Sequence, residues 1–342
     1  MRFLLRHITT YRYATPVTLG RHRLMLRPRD SHEMKLHGAT LGITPTPSQV
    51  VWRYDVFGNC VALVDFAAPA TELTIDSTLD VERFPIVDPE HLVDEHARNL
   101  PLAYSAADIR DLAGLQERHV LDPAHAVDLW SKSILASVGR GGSPTPETLA
   151  VLNAMAASIK RDFIYRARDA YGTQSPLETL ATGSGTCRDF AYLMMEGARS
   201  LGLAARFVSG YLYDSVRDPA RDRSNGQSTG EANRTEPDAA AGAGTVPAPP
   251  GAEVVPVVSS APPSIPDGGT VGGGATHAWA QIYLPGAGWT HFDPTNAQMA
   301  EVALIPVAVV RDPAQASPVA GSWQGQPGDS IGMDVVVKVA AK

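Results

Sequence analysis

The chain has 342 residues, 44% hydrophobic and 19% charged, a balance that suits a globular protein long enough for two domains with cores of their own. A net charge of −7 argues against nucleic acid or an anionic membrane surface as the main partner. Only Cys60 and Cys187 are present, which excludes a disulfide framework and a cysteine-rich zinc site. The N-terminal run Met1-Arg-Phe-Leu-Leu-Arg-His7 is too short for a signal peptide, and no apolar run approaches the length of a membrane span. The expected compartment is the cytoplasm.

Residues 1–85 read as β. Segments Phe3–Tyr13, His22–Arg27, Leu36–Pro45, Gln49–Val56, Cys60–Phe66 and Glu72–Val81 carry β-branched and aromatic residues between turn signals, which predicts a small sandwich or barrel-like domain. Cys60 falls on a strand after the Gly58-Asn59 turn, where packing is the expected role. Residues 86–165 turn helical, with starts expected at Asp88-Pro89-Glu90, Asp122-Pro123 and Pro146-Glu147 and a loop at Gly139-Arg-Gly-Gly-Ser-Pro144. Residues 166–342 form the remaining unit. Within it, about 214–275 is rich in Gly, Ala, Pro, Ser and Thr with almost no aromatics, the composition of a disordered insertion. Gly268-Gly-Thr-Val-Gly-Gly-Gly274 lacks the Gly-Lys-Ser/Thr of a phosphate loop. Strands are expected at Ala204–Tyr213, His277–Leu284, Trp289–Asp293, Glu301–Val310 and Met333–Val339, the second and third forming a hairpin.

Chemistry concentrates where Gly185-Thr-Cys-Arg-Asp-Phe-Ala191 runs from a turn into a helix. Thr186 as N-cap and Asp189 at the third helical position match a capping box, and Phe190, Leu193, Met194, Gly197, Ala198 and Leu201 recur at helical spacing as one buried face. A cysteine on the first turn feels the positive end of the helix dipole, which favours thiolate. His277 opens one strand of the hairpin and Asp293 closes the other, so the pairing brings an imidazole and a carboxylate within reach of each other. Cysteine, histidine and aspartate in this arrangement form a workable nucleophile, base and orienter. The remaining histidines show no metal pattern: His91 and His96 are not on one helical face, and no H-E-x-x-H occurs. No metal and no cofactor is expected.

The blocks G-T-C-R-D-F-A (185–191), T-H-A-W-A-Q-I-Y (276–283) and W-T-H-F-D-P-T-N (289–296) resemble the Cys, His and Asp boxes of the bacterial transglutaminase-like superfamily. H-I-T-T-Y-R-Y (7–13), H-R-L-M-L-R-P-R-D (22–30) and D-V-F-G-N (55–59) are similar to that family's β-rich N-terminal domain, and Y-G-T-Q-S-P-L-E-T-L (171–180) to its approach to the cysteine. The resemblance implies an α+β fold: a papain-like transglutaminase core, with the cysteine-bearing helix packed on an antiparallel sheet, preceded by the β domain. It also implies acyl transfer on peptide or amide bonds through a Cys187 thioester, with His277 as base and Asp293 as orienter. The Cys187 N–H would be one oxyanion donor, and Gln174 and Trp279 are candidates for the second donor or for the wall of the site. The sequence departs from the family in the long insertion and in His291, which stands where a small or apolar residue is expected. The expected partner is a peptide or protein substrate, with an amine as the acceptor in the transglutaminase alternative. Family members often neighbour ATP-grasp-like enzymes, which would imply a peptide-modifying pathway. Hydrolysis is the simpler expectation; a non-catalytic scaffold of the same fold is the alternative of another class.

Overall fold

The computed structural model describes residues 1–139, 145–166, 172–213, 244–247, 276–299 and 303–342. In chain order the strands and helices begin with β1 (Arg2–Leu19), β2 (His22–Arg27), β3 (Met34–Thr44), β4 (Gln49–Tyr54), β5 (Cys60–Asp65) and β6 (Ala70–Arg83). There follow α1 (Ala106–Gln116), α2 (Ala126–Gly139), α3 (Thr148–Asp162), β7 (Ile164–Tyr165), α4 (Pro176–Thr182), β8 (Ser184–Gly185), α5 (Cys187–Ser200) and β9 (Ala205–Leu212). The last are β10 (Gly244–Pro247), β11 (Thr276–Leu284), β12 (Gly288–Asp293), β13 (Gln298–Met299), β14 (Leu304–Val310), β15 (Val319–Ala320), β16 (Trp323–Gln324) and β17 (Ser330–Ala341). The fold class is α+β, and the chain divides into two units. Among the described residues no helix is long and apolar enough to cross a membrane.

The first unit comprises Met1–Phe84, Tyr211–Ala275 and Pro318–Lys342. One sheet runs in the order β10-β3-β6-β1-β16, with β17 also on β1; a second runs β15-β2-β5-β4. Leu41, Ile43, Leu73 and Ile75 of the first sheet meet Leu24, Leu26, Ala62 and Val64 of the second in one apolar cluster, so this unit is a sandwich. Alternation on β1 is what sets its register: Phe3, Leu5, His7 and Thr9 point inward in turn. The inward His7 is satisfied by the Tyr211 hydroxyl at 2.8 Å and by Thr9 at 3.1 Å, and burial pushes its pKa down to about 4. Cys60 is buried on β5, and burial raises its thiol pKa against the pull of Arg27 and Arg29.

The expected boundaries differ here at the C-terminus. Residues 318–342, read with the core at 166–342, group with the β unit instead, because β17 pairs along β1 from Phe3↔Ala341 to Tyr13↔Ser330. A long strand such as β1 offers a full row of backbone donors and acceptors on each side, and β17 satisfies one of them. Most of the insertion expected at about 214–275 lies outside the described residues; Gly244–Pro247 pair with Thr40–Ile43 of β3. The loop expected at 139–144 lies outside them from Arg140 onward.

The second unit comprises Pro85–Gly210 and Thr276–Ser317. Its sheet has the order β13-β12-β11-β9-β14. Helices α2, α3 and α4 and strand β11 all pack against α5, which makes α5 the central helix. The expected apolar face of α5 is buried, but so are Met195, Glu196 and Arg199, because neighbours cover it on several sides. Glu196 and Arg199 pair at 2.7 Å, both with fully buried side chains. Arg199 also donates to the carbonyls of Leu115, Ala205 and Arg311, so its charge and its donors are both satisfied.

Helix starts expected at proline were partly displaced. Pro89–His91 is a single 3-10 turn, α2 starts at Ala126, and α3 starts at Thr148. Asp122 reaches the amides of Ala126 and Val127 with both carboxylate oxygens, so it caps α2 from outside the helix. Helices α1 and α4 carry serine caps, Ser105 and Ser175.

Candidate active site

Helix α4 ends at Gly183, whose φ of +60° is the left-handed conformation that stops a helix at little cost for glycine. The chain then pairs as β8 with β7 and enters α5 two residues later. At that entry Asp189 accepts from the Thr186 backbone N–H at 2.8 Å and from its hydroxyl at 2.9 Å. The other carboxylate oxygen of Asp189 accepts the backbone N–H of Gln174 at 2.6 Å. A single buried carboxylate therefore fixes both the helix start and the approach to it. Cys187 is the first residue of α5 and is 6% exposed. An amide at this position has no partner within its own helix, so the Cys187 N–H is available to an oxyanion.

The hairpin sets the other two residues. β11 pairs with β12 in the register Gln281↔His291 and Ala280↔Phe292, so Trp279 lies opposite Asp293. Side chains alternate along a strand, and His277, Trp279 and Gln281 therefore share one face with His291 and Asp293. His277 sits diagonally across from Asp293, and its Nε2 donates to Asp293 Oδ2 at 2.8 Å. Asp293 also accepts the Asn296 side-chain amide at 2.8 Å, the Thr295 N–H at 2.9 Å and the Asn296 N–H at 3.4 Å.

The electrostatics of this pair follow from complete burial. Desolvation alone would lower the His277 pKa, but the charge and hydrogen bond of Asp293, with a further contribution from Cys187, outweigh it and raise the value to about 10. Burial likewise works to raise the Asp293 pKa, and His277 and the donors around the carboxylate hold it below the usual range. Among the described residues Nδ1 of His277 is buried without a nitrogen or oxygen partner, and the Cys187 thiol is the group that acts on this ring beside Asp293. The ring is thus tied at Nε2 and free to exchange a proton with sulfur at Nδ1.

Trp279 lies under this pair, its ring stacked on that of His277 at 6.0 Å and 27°. Its indole N–H donates to Nδ1 of His291 at 2.7 Å. Trp279 can pack this close because Gly210 faces it from β9: a Cβ there would lie 2.1 Å from the Ile305 carbonyl oxygen and 2.9 Å from the Trp279 ring.

Two family models match the chain: the bacterial transglutaminase-like N-terminal region over residues 3–82 and the transglutaminase-like superfamily core over residues 136–294. The chain belongs to the transglutaminase-like superfamily. Uncharacterized proteins of Mycobacterium tuberculosis and Mycobacterium leprae are 28% and 26% identical to it. The first match covers 99% of this chain and 92% of the relative, the second 97% and 96%. A candidate cysteine protease from Cytophaga hutchinsonii has a similar solved structure, with a TM-score of 0.60 at 16% identity, covering 100% of this chain and 91% of that one.

Within this transglutaminase-like core, Cys187, His277 and Asp293 come together, and Trp279 forms the floor beneath the imidazole with its N–H already committed to His291. Gln174 is placed differently from a free oxyanion donor. Its side-chain amide donates to the Ser184 carbonyl at 3.0 Å and to the hydroxyls of Thr179 and Thr182 at 3.1 and 3.3 Å, which braces the turn before the cysteine. His291 turns its Nδ1 to Trp279, and the bonds of Asp293 run to His277, Thr295 and Asn296. Tyr165 also belongs to the site, although no motif in the sequence marks it. Strand β7 sets this residue opposite Gly185, which brings its phenol beside Cys187. The available signal was the Phe163-Ile-Tyr165 run after α3, which has strand character but is too short to stand out.

Proposed function

We propose that the protein is a cysteine-dependent acyl-transfer enzyme acting on peptide or amide bonds of a peptide or protein substrate. The observation that carries this reading is an imidazole anchored to a buried aspartate through Nε2, with Nδ1 left to the Cys187 side. In the first step the Cys187 thiolate attacks the amide carbonyl carbon, forming a C–S bond and an oxyanion that accepts the Cys187 N–H. The oxyanion collapses, the C–N bond breaks, and the imidazolium gives its Nδ1 proton to the departing amine. Asp293 holds the Nε2 proton throughout and offsets the ring's positive charge. In the second step Nδ1 accepts a proton from the incoming nucleophile, the C–S bond breaks and the thiolate–imidazolium pair is restored. Water as nucleophile releases an acid; an amine forms a new amide. Hydrolysis is the favoured outcome. The similarity of fold to a candidate cysteine protease supports this reading.

The test is an activated ester. Incubation with p-nitrophenyl acetate followed by acid quench and peptide mass spectrometry is expected to place an acetyl group on Cys187 and none on Cys60. Added primary amine leaves the rate of nitrophenol release in the steady state unchanged for a hydrolase and accelerates it for a transferase. Absence of any Cys187 acyl adduct under rapid quench would rule the proposal out.

A further inference from the structure

An oxyanion next to a cysteine normally needs two donors, and here only the Cys187 N–H is assigned. The Gln174 amide is bound to Ser184, Thr179 and Thr182, and the Trp279 indole to His291. Tyr165 is placed to do more. Strand β7 runs parallel to β8 with Tyr165 opposite Gly185, and the bond from Arg166 N–H to the Gly185 carbonyl, at 2.9 Å, fixes that register. The Tyr165 ring meets Phe190, on the first turn of α5, edge-on at 6.3 Å and 69°. The residue is 39% exposed, so the ring borders the open side of the site while its hydroxyl points to the cysteine.

We propose that the Tyr165 hydroxyl supplies the second hydrogen bond to the oxyanion formed at Cys187, an assignment that rests on the acyl-transfer reading above. In the free protein the pairing with Gly185 and the contact with Phe190 hold the Tyr165 ring beside Cys187, which is where a substrate carbonyl oxygen must arrive. When that oxygen takes the N–H, the phenol moves aside and turns its proton toward it. The proton stays on tyrosine throughout, so the step adds a hydrogen bond and no proton transfer. Burial, and then the neighbouring Cys187, raise the phenol's pKa, which keeps it a donor at all working pH values. A hydrogen bond to an ionised oxygen is stronger than one to a neutral carbonyl, so its effect grows as the oxyanion develops.

The test compares two reagents on the full chain. Iodoacetamide alkylates sulfur without forming an oxyanion, whereas p-nitrophenyl acetate must pass through one. In Tyr165→Phe the acylation rate at Cys187 is expected to fall about 10²-fold, the usual effect of removing one oxyanion donor, with alkylation within about twofold of wild type. Tyr165→His, which keeps a ring and a donor, is expected to recover part of the acylation. Unchanged acylation in a normally melting Tyr165→Phe would overturn the assignment. Equal loss of both rates in that protein would also overturn it, because the residue would then act on the thiol. Wild-type protein that alkylates but never acylates would overturn the acyl-transfer reading itself, a failure visible before any variant is made.

Discussion

Acylation of Cys187 by p-nitrophenyl acetate is expected to slow by about 10³-fold in His277→Ala, the range for removing a positioned general acid–base. The reason lies in the tie at Nε2. The ring can hold a proton on both nitrogens because Asp293 lowers the cost of its charge, and without it the thiol has no neighbouring base. The fold should persist, since Asp293 keeps its three bonds from Thr295 and Asn296. Leaving the carboxylate without its cationic partner costs about 3–5 kcal/mol, so a lower melting temperature accompanies the loss. His277→Gln separates the two effects, because its amide can donate to Asp293 but cannot act as a base. Recovery of stability without recovery of acylation is the expected result, measured by thermal melts and stopped-flow nitrophenol release. Rapid acylation in either variant would remove His277 from the mechanism.

The second large effect is expected in Asp293→Asn, a loss of about 10³- to 10⁴-fold through the wrong tautomer. One oxygen of Asp293 faces the Thr295 and Asn296 backbone amides, and an asparagine would place its carbonyl there. Its NH₂ would then face His277, forcing Nε2 to become the acceptor and moving the neutral ring's proton to Nδ1, against the thiol. Stability should change with pH in a defined way. The raised His277 pKa contributes stability that is full below the unfolded value of 6.5 and is lost as pH rises to about 10. The lowered Asp293 pKa contributes above its ordinary value of 3.8 and is lost as pH falls below it. The melting-temperature gap between wild type and Asp293→Asn should therefore be widest between 3.8 and 6.5 and should close toward about pH 10. A gap that is flat across this range would mean that the two groups are not charged partners.

Much of this site was legible because its parts obey short-range rules. Thr186, Cys187 and Asp189 declare a capped helix start within four residues, and the hairpin register that brings His277 to Asp293 follows from strand alternation and a short turn. What escaped the reading depends on long-range contact. Gln174 looked free as an isolated polar residue, but the turn it braces is formed by residues up to ten positions later. Tyr165 becomes part of the site only through a two-residue parallel pairing with β8, which carries no periodic signal. Burial around the whole of α5 does not follow from one apolar stripe, since Glu196 and Arg199 are charged residues kept buried by their ion pair and by further partners such as Arg118. β17 was recognised as a strand, but its partner across more than three hundred residues was set by the unpaired edge of β1.

An assembled cysteine–imidazole pair shows itself in the rate of iodoacetamide labelling against pH, read separately at each cysteine by mass spectrometry. Labelling of Cys187 is expected to be fast already below neutrality and to persist into alkali, because the sulfur stays a thiolate whether or not His277 carries its second proton. Cys60, whose thiol is pushed up by burial, should label only in alkali and serves as the internal control. Labelling of Cys187 that rises only around the pKa of a free thiol, about 8.5, would mean that no thiolate–imidazolium pair is assembled.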